Sequence, residues 1–222
     1  MNDTLLIKKV LLAFEQSSTT IQYGKVYRFN DGPGNIKQVT LSFGATEYGN
    51  LSTIVRRYVA KGGRVADRLQ PYVEKISKTP LADDERFVKL LQEAGDDVAM
   101  QLIQDSAYDE MYIQPAMRWC EKNKLILPLS RLVVADSFLQ SGSILSSLRN
   151  KFSAKIPSVG GDERKWTEAY CIVRKDWLAN HSRKILNKTT YRMDFMLNCI
   201  EAEDWNLAKP EYRANGVKIV NA

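Results

Sequence analysis

The chain has 222 residues, with 32 Lys and Arg against 26 Asp and Glu, a single His and three Cys, and a formal charge of +6. That length buries a substantial core as one domain or two small lobes. A lone His181 leaves no partner set for Ser-His-Asp or Cys-His catalysis unless it serves itself, and an odd, widely spaced trio of Cys120, Cys171 and Cys199 gives neither a disulfide framework nor a metal site.

No apolar run approaches the length of a membrane span. The excess positive charge is spread along the chain without a basic arm or a nucleic-acid motif, so it is read as solubility and not as nucleic-acid binding. Acid stands at the N-terminus where a signal peptide carries base, and Lys8 and Lys9 interrupt the first apolar run, so no signal peptide is expected in this sequence.

Taken in order, residues 3–15 form a first helix, with Asn2, Asp3 or Thr4 as its cap. Residues 22–29 are rich in β-formers, residues 30–35 are a dense turn signal, and residues 36–43 return as a second strand. A second helix opens at residues 46–48 and closes at Gly62 and Gly63. A further one covers 65–77, broken by Pro71. After a linker at 79–82, Asp83, Asp84 and Glu85 load acid onto the next helix start. A long helical pattern runs from Asp96 to Trp119, with a kink or break expected at Pro115. Residues 126–139, the most apolar segment, fit a helix buried on most sides. Helices are also expected at 143–152, 162–178 and 189–202, and the tail from Trp205 has no firm period. The architecture expected is mainly α with one small β-hairpin, an α+β chain whose two lobes flank a substrate cleft. The hairpin lobe is placed around 15–62 and a helical lobe around 80–160.

Two carboxylates stand out. Glu15 ends the first helix on the face of Leu11 and Leu12, four and three residues earlier. Apolar neighbours strip a carboxylate of hydration and favour its proton-donating form. Asp31, in Asp31-Gly32-Pro33-Gly34, belongs in a polar, partly solvated turn. A helix-end Glu is more often a solvated charge, and a turn Asp more often only makes the turn. Two carboxyls in contrasting environments, however, are the pattern of a glycosidase acid and base.

This ordered set, a Glu ending the first long helix followed by a strand and an Asp-Gly-x-Gly turn, resembles the catalytic segment of the glycoside hydrolase family 46 chitosanases, within the lysozyme-like superfamily. The resemblance continues through Val134-Ala135-Asp136-Ser137, through Gly160-Gly161-Asp162-Glu163 with Trp166, Tyr170, Arg174 and Trp177, and through Thr190-Tyr191-Arg192. It implies one lysozyme-like catalytic domain over 1–222. Glu15 is then the acid and Asp31 the base. Thr40 holds the attacking water, with Ser42 as the alternative. Asp136, Arg174 and Arg192 form an ion-pair network behind Glu15. Glu47 falls near a family acid that contacts substrate amines, and Tyr23 and Tyr48, with Tyr27, offer stacking surfaces for sugars. The residues themselves give a reason for the network: an acid inside the apolar run around Asp136 needs a partner, and Arg suits bidentate pairing.

The function expected is endo-acting, inverting cleavage of β-1,4 bonds in an amino-sugar polymer, with chitosan the substrate implied. No cofactor or metal is called for, and the enzyme is expected to be a monomer acting outside the producing cell, secreted or delivered. A muramidase acting on peptidoglycan keeps the same chemistry, and the positive charge suits an anionic wall. A binding protein on a lysozyme-like scaffold is the third reading, since a fold does not by itself carry a function.

Overall fold

The structure is a computed structural model and describes residues 3–220. Thr20–Asp109 folds as one compact unit, and the segments before and after it fold together as the other.

The larger unit is built on helix α7 (Pro128–Ser141), which buries Leu129, Ser130 and the whole run from Leu132 to Ser137. That is the segment whose apolar residues show no polar face. Pro128 starts it, at a position where the missing N–H costs nothing, and Gly142 ends it with φ 75°. Helices α1 (Asp3–Gln16), α6 (Gln114–Lys122), α9 (Glu163–Ala179) and α11 (Tyr191–Glu201) pack around α7. α1 turns Leu6, Ile7, Val10, Leu11 and Phe14 into the core. Along α9, Trp166 and Tyr170 stack with their rings 4° from parallel, and Phe152 and Trp119 close round Trp166. Arg174 is fully buried in that face, whereas Trp177, three residues on, is half-buried. Short helices α8 (Ser146–Arg149) and α10 (Lys184–Asn187) bridge the longer ones.

The smaller unit holds an antiparallel sheet of β1 (Val26–Phe29), β2 (Gln38–Leu41) and β3 (Ala45–Thr46). The register sets Tyr27 opposite Thr40 and Phe29 opposite Gln38. Beside the sheet are α2 (Leu51–Ala60), α3 (Ala66–Leu69), α4 (Glu85–Gly95) and α5 (Val98–Tyr108). Asp84 and Asp97 cap α4 and α5 through Phe87 N and Ala99 N. The chain entering β1 presses on the end of α4: a Cβ on Gly95 would stand 2.2 Å from Gly24 Cα. Only glycine fits there.

Several expectations are corrected. The hairpin is a three-stranded sheet, because the chain folds back once more at Ala45. α2 starts at Leu51, since residues 46–50 are spent on a turn in which Gly49 N donates to Thr46 O. Residues 65–77 hold one helical turn and a 3-10 turn at Gln70–Tyr72. The long pattern from Asp96 breaks ahead of Pro115, at a π-helical turn over Asp109–Ile113. Pro115 itself sits in the first turn of α6, where it does no harm. The division at residue 109 groups α4 and α5 with the sheet. The tail is a second hairpin, β4 (Glu211–Ala214) with β5 (Val217–Val220), joined by Asn215 and Gly216 at φ 48° and 77°.

Candidate active site

Glu15 stands in the last turn of α1, between the buried Phe14 and Gln16, and its own side chain is 26% exposed. Leu11 and Leu12 beside it are buried, so the carboxylate has an apolar floor. Its polar partner comes from α11: Arg192 Nη2 donates to Glu15 Oε1 at 2.6 Å, while Arg192 Nη1 donates to Asp136 Oδ1 at 3.0 Å. Arg192 thus uses two separate nitrogens to tie the surface carboxylate to the buried one. Phe14 and Tyr191 line its flanks, with ring centroids 5.5 and 6.0 Å from the guanidinium carbon.

Asp136 is fully buried. Its other oxygen, Oδ2, lies 3.6 Å from Arg174 Nη2, an ion pair beyond hydrogen-bond length. Arg174 donates instead to Gln140 Oε1 at 2.7 Å and to Ser141 Oγ at 3.2 Å. Two guanidiniums and two carboxylates therefore form one balanced cluster with little access to water. Burial pulls the Arg192 guanidinium down, but the charges of Glu15 and Asp136 outweigh it and hold the group above its ordinary value. It stays charged at every pH the fold survives.

Asp31 lies exposed at the turn between β1 and β2. The turn is tight for a reason: a Cβ on Gly32 would meet Ile36 O at 2.8 Å, so glycine is needed next to the carboxylate. Gln38 Nε2 donates to Asp31 Oδ1 at 2.9 Å, and Gln38 Oε1 accepts from Tyr48 N at 3.4 Å. Gln38 was not singled out in the sequence. The signal was there: Gln38 precedes Thr40 by two residues, so both point to one face of β2.

Thr40 is buried on that face, and among the described residues its Oγ1 has no hydrogen-bond partner. The same is true of Ser42 Oγ. Ser42, however, has left the strand, in a left-handed conformation at φ 54°. A buried hydroxyl without a partner costs about 1–3 kcal/mol.

Glu47 is in another position from the one its place in the sequence suggested. It is fully buried, and both carboxylate oxygens are taken by backbone N–H groups, Oε2 by Val39 at 3.0 Å and Oε1 by Leu81 at 2.7 Å. It braces β2 against the chain entering α4. Tyr23 donates to Asp105 Oδ1 at 2.9 Å; burial first, then Asp105, pushes its hydroxyl up to about 12. Tyr48 is half-buried beside Gly32, and burial raises its hydroxyl also. Tyr27 and Phe29 stack on each other at 5.8 Å along β1.

Comparison with known proteins bears on the fold and the family. A chitosanase of Bacillus subtilis (strain 168) is 28% identical over 213 residues, covering 89% of this chain and 76% of that protein. Among solved structures, a Gynuella sunshinyii family 46 chitosanase in complex with chitotetraose superposes with a TM-score of 0.85 at 20% identity, over 98% of this chain and 96% of the other. The native chitosanase of Bacillus subtilis MY002 gives 0.83 at 24% identity, over 100% and 99%. These likenesses establish the lysozyme-like fold. The model of glycosyl hydrolase family 46 matches residues 9–210, which take in Glu15, Asp31 and the whole cluster around Asp136, and the chain belongs to that family of glycoside hydrolases.

Proposed function

We propose that this chain is an endo-acting, inverting chitosanase. The observation that carries the reading is the Glu15–Arg192–Asp136 array, in which a helix-end carboxylate is held at 2.6 Å by an Arg anchored on a buried Asp. Glu15 protonates the leaving glycosidic oxygen. The carboxylate that this transfer leaves behind faces Arg192, so the charge developing on the enzyme is met by a fixed cation. Asp31, solvated and oriented by Gln38, acts as general base on a water, and Thr40 Oγ1 is the hydroxyl that holds that water. Water attacks the sugar directly, without a covalent intermediate. Chitosan as substrate is supported by the relatives, one of which is seen with chitotetraose.

Incubation with purified chitosan and with peptidoglycan, each followed by product analysis, tests the substrate. Chitosan oligomers of intermediate length are expected; release of muropeptides alone would point to a muramidase. NMR of fresh product is expected to show the inverted anomer first, and initial retention would overturn the mechanism. Glu15→Gln should cut kcat by about 10²–10⁴ while the fold survives. Near-normal turnover would show the acid to be misassigned.

A further inference from the structure

α1 ends with Ser17 in the left-handed conformation, φ 50°, donating its N–H to Ala13 O at 3.1 Å. Glycine is the usual residue at that position of a helix end, because a Cβ there is strained. The compensation comes from the far end of the chain. Asn215 Nδ2 donates to Ala13 O at 3.1 Å and to Ser17 Oγ at 3.1 Å, with Phe14 O at 3.4 Å. Tyr191 Oη donates to Phe14 O at 2.8 Å. One amide group therefore spans the helix terminus on both sides of Glu15, at positions 13 and 17, and the residue next to Arg192 holds position 14.

Asn215 can do this because of where it sits. It is the first residue of the β4–β5 turn, and the left-handed backbone required there suits Asn followed by Gly. The hairpin is fixed to α1 along its length: both strands pack on the helix, and Lys9 Nζ donates to Val220 O at 3.3 Å. The whole hairpin, starting at Glu211, lies beyond the stretch that the family model matches, which ends at residue 210.

We propose that Asn215 is a positioning residue for the proton donor: the C-terminal hairpin caps the terminus of α1 and thereby fixes Glu15 against the leaving oxygen. The proposal rests on Glu15 being the acid. Loss of the cap lets the last turn of α1 relax, and displacement of a reacting group by about 1 Å can cost about 10²-fold in rate. The binding of the sugar chain itself does not pass through Asn215.

The test uses Asn215→Gly, which keeps the left-handed turn and removes the donor, and Asn215→Asp, which keeps the size and replaces the donor with an acceptor. Each is assayed on chitosan oligomers and on a dinitrophenyl chitooligosaccharide, whose phenolate leaves without a proton. Glu15→Gln is run alongside. Both Asn215 variants should lose about 10–100-fold in kcat on chitosan with KM within about twofold, and lose far less on the dinitrophenyl glycoside, following the pattern of Glu15→Gln. Wild-type kcat on chitosan in Asn215→Gly, or an equal loss on both substrates, would overturn the proposal and leave Glu15 as the acid. Should Glu15→Gln hydrolyse chitosan normally, the assignment of Glu15 falls and this inference with it.

Discussion

Asp136→Asn removes one charge and almost no volume, which makes it the cleanest probe of the cluster behind Glu15. In the native chain the two guanidiniums of Arg174 and Arg192 face the two carboxylates of Asp136 and Glu15. The side chains of Arg174 and Asp136 are 0% exposed, so solvent cannot take over when the balance is broken. The variant leaves two buried cations facing only Glu15, and its new amide N–H groups point at guanidinium donors. Stranding one partner of a buried pair costs about 3–5 kcal/mol. For a chain of this length each kcal/mol lowers the melting temperature by about 2–4 °C, giving a fall of about 6–20 °C. Adding Arg174→Met removes one charge of the other sign and restores the balance. The double variant should therefore melt well above the sum of the two single losses. Thermal unfolding of wild type, both singles and the double in one buffer reads this out. Activity should fall in Asp136→Asn as well, since Arg192 loses its anchor. A melting temperature within about 2 °C of wild type would show that Gln140, Ser141 and Glu15 satisfy the guanidiniums unaided, and the charge-balance reasoning would fail.

Glu47→Ala strands the N–H groups of Val39 and Leu81 in the core, at about 1–3 kcal/mol each, so the variant should melt early while KM changes little. A raised KM with unchanged melting would return Glu47 to the substrate. Tyr23 has its hydroxyl pushed up to about 12 by burial and Asp105, above the value of about 10 for an unfolded chain. Its contribution is therefore complete below pH 10 and lost as pH rises through 12. Denaturant unfolding at pH 9 and 11 should show wild type losing more stability between the two than Tyr23→Phe; equal losses would show that Tyr23 is not the group that titrates.

Much of this protein was legible in the residue pattern, for identifiable reasons. The run 129–137 has no polar stripe, and a helix of that kind can only be the centre of a unit; α7 is that helix. Asp136 within it had to be paired, because a lone charge there could not be solvated. Asn215-Gly216 between alternating residues is a hairpin signal of the strongest short-range kind, yet the polar outer face of the strands leaves the tail without an apolar period. The end of α2 at Gly62 was readable, but its start was not, because Thr46, Glu47 and Tyr48 fit a first helical turn while the backbone from Thr46 to Gly49 is spent on leaving β3.

The sequence alone determined what is local or is decided by solvation: the helices with apolar faces, the glycine-bearing turn at Asp31 and the need of Asp136 for a cation. Tertiary structure decided which groups meet. Arg192 lies 177 residues from Glu15 and Asn215 lies 202 from Ala13, and no local pattern encodes such a separation. It also decided the surroundings of Glu47, because whether a carboxylate faces solvent or two buried N–H groups depends on where the chain at Leu81 packs. Spacing along a chain sets which side chains share a face; the packing of faces sets which of them keep an open valence for chemistry.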